Sequence, residues 1–343
     1  MPTTAPGPRA TDRLQVVHPR GELRPDPRLS DPDAARLVAE HARRTAGWTP
    51  RHLAGVATAR ARDRRGGPGP VDDEQVLVTD LHVRGAAGPL RARRYVPRTT
   101  LAGAGTLVHL HGGWVTGDLD TDDALCRVLA ARTGAVVLSP CYRHAPEHPF
   151  PGGLRDAAAV LGLVADGAVP GVPAGPLAVS GTSTGGTLAA ALARWARDGA
   201  APPVAAQLLL SPVLDHRLDR DSHARYGDGL LLTRDDLAWS WDLYLPDRRR
   251  RAEPDASPLR VSDPAGLPPA VLVVSGADPA RDEGLEHAER LRAAGVPVEL
   301  LLREGVPHAH VALPGLPAGE RDLAAAADAL RALLARRAAP AVR

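Results

Sequence analysis

The stretch GTSTGG at residues 181–186 follows the apolar run PLAVS and precedes TLAAALARW. A serine between glycines at a strand-to-helix turn is the pattern of a nucleophile elbow. Gly181 and Gly185 remove side chains that would clash in so tight a turn, and the Ser183 hydroxyl stands exposed above the strand end. The following helix sets its N-terminal dipole beneath a developing oxyanion. G-x-S-x-G alone is weak, although composition predicts only about 0.1 chance matches here. The plain alternative is a turn with a capping serine. A serine hydroxyl attacks poorly without a base, so a histidine held by a carboxylate must follow, in the order Ser, acid, His. Asp278 lies just past the strand AVLVVSG; alone it reads as a cap or turn aspartate. His308 and His310 lie in REGVPHAH, just past VELLL. Both places fall at the sheet edge where the serine emerges. In LHGGW (110–114), Gly112 and Gly113 can turn N–H groups toward a substrate oxygen, and Thr184 supplies another. The plain alternative is a glycine turn.

The elements that must position these residues alternate. QVLVTDLHV (75–83) and LRARRYV (90–96) read as strands. TLVHLH (106–111), AVVLSP (135–140), LAVSG (177–181), AAQLLLSP (205–212), AVLVVSG (270–276) and VPVELLL (296–302) read as strands too, mostly short buried runs. DALCRVLAARTG, ending at Gly134, TLAAALARWA, LEHAERLRAAG and the closing RDLAAAADALRALLARR read as helices. Such alternation predicts a mainly parallel sheet with helices on both faces. SDPDAARLVAEHARRTAG predicts a helix capped by Asp31 and leaving at Gly47. Residues 1–29 predict a mostly irregular arm, 61–70 a linker, and 216–251 a helical insertion over the sheet edge.

The 343 residues fit one large α/β domain with an insertion. Net charge is +2 on 42 basic and 40 acidic residues, which argues against a nucleic-acid surface. The arginine runs at 60–65 and 248–251 read as solvated loop charge. No window approaches a membrane span and the N-terminus lacks a signal's apolar core. Two cysteines, Cys126 and Cys141, imply no disulfide framework, so a reducing cytoplasm is the expected setting. Lysine, isoleucine and asparagine are absent, a coding bias that makes arginine placement less informative. His109 and His111 share a strand face as metal ligands would. No third ligand is placed by sequence and no HExxH occurs, so neither a metal nor a cofactor is expected.

HGGW, YRHAPEHPFPGGLRDA, GTSTGG, SPVLD, ASPL, GLPPAVLVVSGADPARDEG, AERLRAAGVPVEL and EGVPHAH, in this order, resemble the bacterial hormone-sensitive-lipase-like (family IV) esterases. The resemblance runs from about residue 70 to the end. It implies an α/β-hydrolase fold with a mostly parallel eight-stranded sheet and a helical cap, contributed by 30–60 and 216–251, on a catalytic domain of 70–343. It implies Ser183 as nucleophile, Asp278 as orienting acid, and His308 in preference to His310 as general base. Gly112, Gly113 and the Thr184 amide become the oxyanion hole. Tyr142, Arg143, Glu147 and Asp156 become scaffold. Three departures stand out. Two glycines follow His111 where the family has three. Thr182 and Thr184 replace the acid and alanine of GDSAGG. Ala309 and His310 follow the histidine where the family has glycine and a bulky apolar residue.

The expected activity is hydrolysis of small or medium acyl esters, with natural-product or xenobiotic esters as candidate substrates. Trp114, Trp239 and His310 are candidate pocket residues, and packing of the cap is an equal use for the tryptophans. The alternatives are acyl transfer, a retired small-ligand-binding protein on the same fold, and a lyase or isomerase borrowing the dyad. The expected partner is a small-molecule ester, with room for a homodimer.

Overall fold

The structure is a computed structural model and describes residues 26–45, 55–63, 74–101 and 103–338. Nearly all of the predicted arm, the exit at Gly47 and most of the 61–70 linker lie outside these residues. Eight strands form one sheet: β1 (Val76–Gly85), β2 (Gly88–Pro97), β3 (Thr106–Leu110), β4 (Val136–Pro140), β5 (Leu177–Thr182), β6 (Ala206–Leu210), β7 (Ala270–Ala277) and β8 (Val298–Pro307), in the order β1-β2-β4-β3-β5-β6-β7-β8. β2 runs antiparallel to both its neighbours, and every other pair is parallel.

The central strands are apolar throughout because both faces are covered. Period-two alternation deals their side chains to two cores. Val108, Leu110, Val136, Leu138, Val179, Leu209 and Leu272 enter one core. Leu107, Val137, Ala178, Leu208, Leu210, Val271 and Val273 enter the other. The second core is closed by α3 (Asp123–Thr133), through Leu125, Cys126 and Leu129, and by α9 (Pro317–Ala338), through Leu323, Leu330 and Leu334. The first is closed by α4 (Gly152–Ala165), α5 (Thr184–Arg197) and α8 (Arg281–Ala293). α3 ends where expected, with Gly134 in the left-handed region at φ 69° donating its N–H to Ala130.

Outside these layers lie α1 (Pro32–Thr45), α2 (Val56–Asp63), α6 (Asp221–Tyr226) and α7 (Arg234–Tyr244). Leu29, Ala35 and Val38 pack with Tyr226, Leu230 and Ala277, so the first helix meets the insertion beside the end of β7. The Ser222 hydroxyl donates to the Pro279 carbonyl at 2.7 Å, tying α6 to the same place. Among the described residues no helix is long and apolar enough to cross a membrane.

Two readings of the sequence need correction. The last strand does not stop at residue 302 but runs to Pro307. It is the edge strand, so Arg303 and Glu304 extend into solvent where they mimic a loop. The arginine runs are not simply solvated. Arg60 sits on α2, pairs with Glu147 at 2.8 Å, and donates to the carbonyls of Val115 and Ala145. Arg251 is buried, donating to the Leu245 carbonyl and to Asp242.

Candidate active site

Strand order reverses between β3 and β5: one returns the chain to β4 on its left, the other leads right to β6. A crevice opens at the C-terminal ends of strands at such a switch point. GTSTGG leaves β5 there and HGGW leaves β3 beside it. Sterics explain the glycines between them. A Cβ on Gly185 would stand 2.0 Å from the Leu110 carbonyl oxygen, and one on Gly181 would stand 2.2 Å from that of Gly185. Only bare backbone lets the elbow seat on the end of β3. Ser183 takes φ 55°, ψ −120°, a strained conformation for a side-chain-bearing residue. Its amide is held by the Leu210 carbonyl at 2.8 Å, and its own carbonyl accepts from Gly186 and Val213.

β7 and β8 deliver the other two residues together. A bulge between Ser275 and Ala277 brings Ala277 opposite Pro307, so the next residues, Asp278 and His308, emerge side by side. His308 Nδ1 lies 2.7 Å from Asp278 Oδ2, and its Nε2 lies 2.8 Å from Ser183 Oγ. The other Asp278 oxygen accepts the Ala280 amide at 2.8 Å. A carboxylate only accepts, so Nδ1 carries the proton and Nε2 offers its lone pair to the serine hydroxyl. This arrangement can draw a proton from Ser183 as its oxygen attacks and return it to a leaving group.

His310, the rival histidine and a candidate pocket residue, is elsewhere. Its side chain is fully buried, with Nδ1 2.7 Å from Ser275 Oγ and Nε2 3.0 Å from Asp322 Oδ2. Ser275 in turn meets Ser211 Oγ at 2.9 Å. Both nitrogens are spent on a tie between β7 and α9, and neither is turned to Ser183 or Asp278. Trp114 is corrected likewise. It is 1% exposed, stacked on Tyr244 at 3.9 Å between ring centroids and edge-on to Trp241 at 4.7 Å, and it backs the glycine loop instead of walling an open slot. Trp239 on α7 remains half-buried.

The glycine loop also differs from expectation. Gly113, expected as an oxyanion donor, gives its N–H to Thr184 Oγ1 at 2.8 Å. Among the described residues, the amides of Gly112 and Thr184 donate to no protein group. A Cβ on Gly112 would stand 3.5 Å from the Ser183 Cβ, which measures how close the loop comes. Sequence reasoning missed the part played by the Thr184 side chain, although a hydroxyl beside the nucleophile and across from two glycines was the signal.

The residues around the loop fix it. The Tyr142 hydroxyl donates to the carbonyl of His111 at 2.8 Å and reaches that of Gly113 at 3.2 Å. Asp156, fully buried, accepts Arg143 at Nε, at a terminal nitrogen and at the backbone, and the Ala86 amide. Arg60 draws the Glu147 carboxyl down to about 2. His109 and His111 are not a metal pair. His109 is buried with both nitrogens engaged, to Ser180 at 2.8 Å and Asp122 at 2.9 Å. Burial is the largest influence on Asp122 and opposes its ionisation, yet the hydrogen bond from His109, the charges of His109 and His111 and the Thr182 hydroxyl together hold the carboxyl below its ordinary value.

Residues 107–312 match the family model described as the alpha/beta hydrolase fold. The chain is 41% identical over 288 residues to a carboxylic ester hydrolase, LipN, of Mycobacterium tuberculosis, covering 78% of this chain and 73% of the relative. It belongs to the bacterial hormone-sensitive-lipase-like esterases. An ethyl acetate hydrolase of Pseudomonas putida is 38% identical over 245 residues, 69% of this chain and 76% of that one. Among solved structures, a thermostable esterase from Pseudomonas putida superposes with a TM-score of 0.83 at 30% identity, covering 90% of this chain and 98% of that one. As a member of this esterase family the protein is a carboxylic ester hydrolase.

Proposed function

We propose that this esterase cleaves small or medium acyl esters through an acyl-enzyme, with Ser183 as nucleophile, His308 as general base and Asp278 as the residue that orients it. The hydrogen-bonded relay, 2.7 Å from Asp278 to His308 and 2.8 Å from His308 to Ser183, carries the reading. Ser183 Oγ bonds to the ester carbonyl carbon as its proton passes to His308 Nε2. The carbonyl oxygen, now negative, rests on the amides of Gly112 and Thr184, at the N-terminus of α5. Collapse expels the alcohol, protonated by Nε2. Water then adds to the acyl carbon, giving its proton to Nε2, and the acid leaves as Ser183 recovers its hydrogen. The cap, placed at 30–60 and 216–251, is represented among the described residues by α1, α2, α6 and α7, with Trp239 on α7 as the remaining candidate wall of the acyl slot. The packed aromatic cluster of Trp114, Trp241 and Tyr244 favours short acyl groups over long ones by filling the space behind the loop.

The test is turnover of p-nitrophenyl acetate, butyrate and octanoate, beside mass analysis after a fluorophosphonate probe. Turnover falling with chain length and a single adduct on the peptide carrying Ser183, both lost in Ser183→Ala, is the expected result. Turnover no greater than that of Ser183→Ala overturns it.

A further inference from the structure

Among the described residues, one cluster of metal-ligating side chains lies beyond the Ser183–His308–Asp278 relay. A nitrogen of His111, a nitrogen of His144 and the Cys141 sulfur lie within 4.8 Å of one another. His111 is 1% exposed and uses Nδ1 against the Gly112 carbonyl at 3.0 Å. A carbonyl only accepts, so the proton is on Nδ1 and Nε2 holds a bare lone pair. That Nε2 is buried without a partner, and so is Nε2 of His144. An unpaired buried polar atom costs about 1–3 kcal/mol, so two in neighbouring rings need a reason. Ring packing accounts for the positions, with His111 stacked on Tyr142 at 4.5 Å and His144 edge-on at 5.3 Å, but it leaves both lone pairs unanswered. Cys141 is a free thiol at the floor of a surface cavity of about 360 Å³ that also exposes His144, Asp118 and Glu147.

We propose that His111, His144 and Cys141 bind a Zn2+ ion whose fourth position opens into this cavity. Two neutral imidazoles and a thiolate are the donor set of a borderline-soft cation. Donors around tetrahedral zinc stand roughly 3.3–3.6 Å apart, so the three close on an ion by shifts of about an ångström. On binding, the thiol proton is released as the S–Zn bond forms. Of the cavity's arginines, Arg60 is paired with Glu147 and Arg91 faces Asp80 at 3.9 Å. A bound ion would brace His111, from which the glycine loop starts.

The experiment uses tag-free, chelator-stripped full-length protein, titrated with ZnCl2 against a chromophoric chelator and, separately, with CoCl2 in the near ultraviolet. One equivalent of zinc is expected, with a higher melting temperature, and cobalt should give a thiolate charge-transfer band. Only Cys141 can supply that band, since the other cysteine, Cys126, is fully buried in the core. Cys141→Ser should abolish the band, and His144→Leu should weaken zinc binding at least about tenfold. No binding at equimolar protein and metal overturns the proposal. So does binding without the band, or binding unchanged in His144→Leu. Should Cys141→Ser fail to fold, the wild-type band and His144→Leu decide.

Discussion

Asp278→Asn is the sharpest probe of the relay, because the structure dictates which way the new amide must face. One Asp278 oxygen accepts the Ala280 amide at 2.8 Å and the other accepts His308 Nδ1 at 2.7 Å, in a site 1% exposed. Asparagine has one oxygen. Turning its NH2 toward Ala280 would set donor against donor and leave a buried amide unpaired, at about 1–3 kcal/mol. The oxygen therefore stays on Ala280 and the NH2 faces His308. Nδ1 must then accept, which moves the ring proton to Nε2, the atom 2.8 Å from Ser183. In that tautomer the base has no lone pair for the serine proton. The expected loss is about 10⁴ in kcat, or ~5.5 kcal/mol of barrier, with KM little changed. The assay is p-nitrophenyl acetate hydrolysis near neutral pH, with circular dichroism and melting temperature as controls for folding. A variant that melts with the wild type and retains kcat within tenfold of it would refute the argument from tautomer.

Four other outcomes follow from the geometry. Thr184→Val removes the acceptor of the Gly113 amide and should lower kcat/KM about ten- to a hundredfold, the kinetic equivalent of about 1–3 kcal/mol, while Thr184→Ser should stay within a few-fold; equal rates would detach the hydroxyl from the loop. His310→Leu takes one partner each from Ser275 and Asp322, which keep Ser211 and Arg303, and should cost about 1–3 kcal/mol in denaturant unfolding, with near-normal kcat in the folded fraction; a selective loss of kcat would return His310 to the ester site. Gly185→Ala drives a methyl to 2.0 Å from the Leu110 carbonyl and should leave little folded, active protein, so near-normal yield and turnover would contradict the packing. His287, buried beside Arg290, is pushed down to about 4 from 6.5, so the unfolded chain takes up its proton first; stability present above pH 6.5 should fall by up to about 1.4 kcal/mol per unit down to pH 4, and a melting temperature flat from pH 8 to 5 would count against it.

The sheet was legible because both its faces are buried. Runs such as TLVHL and AQLLL admit few other readings once helices alternate with them. The end of the last strand was not, since an edge strand shows charge to solvent and lacks an apolar signature. α4 shows helical spacing in its buried Leu154, Ala157, Val160, Leu161 and Val164, but the prolines and glycines that open it read as loop. Strand ends offered Ser183 and Asp278 as candidates, though Asp278 by itself reads as a cap or turn aspartate. Choosing His308 over His310 could not be done that way, since both follow the same strand two residues apart. The structure separates them through the 277–307 register and the Ser275–His310–Asp322 tie, which are facts of pairing between distant segments. Nor could the sequence say whether the glycine amides are free, because that depends on the rotamer of Thr184.

The two-glycine loop is best understood by following its carbonyls. Those of residues 111 to 115 are all turned to protein donors: the Tyr142 hydroxyl for His111 and Gly113, His111 Nδ1 for Gly112, the Ala145 amide for Trp114, and Arg60 for Val115. Each bond fixes a carbonyl that would otherwise be free to turn. With the Gly113 amide given to Thr184, the Gly112 N–H is left without a protein acceptor, on the residue whose Cβ position comes within 3.5 Å of Ser183 Cβ. Under the proposed mechanism a developing oxyanion would meet donors held in place before charge builds. A third glycine would add freedom at the point where those bonds remove it. The Thr184 hydroxyl and the missing glycine thus belong to one solution: a shorter loop has fewer amides to offer, and orients those it keeps by tying down everything else.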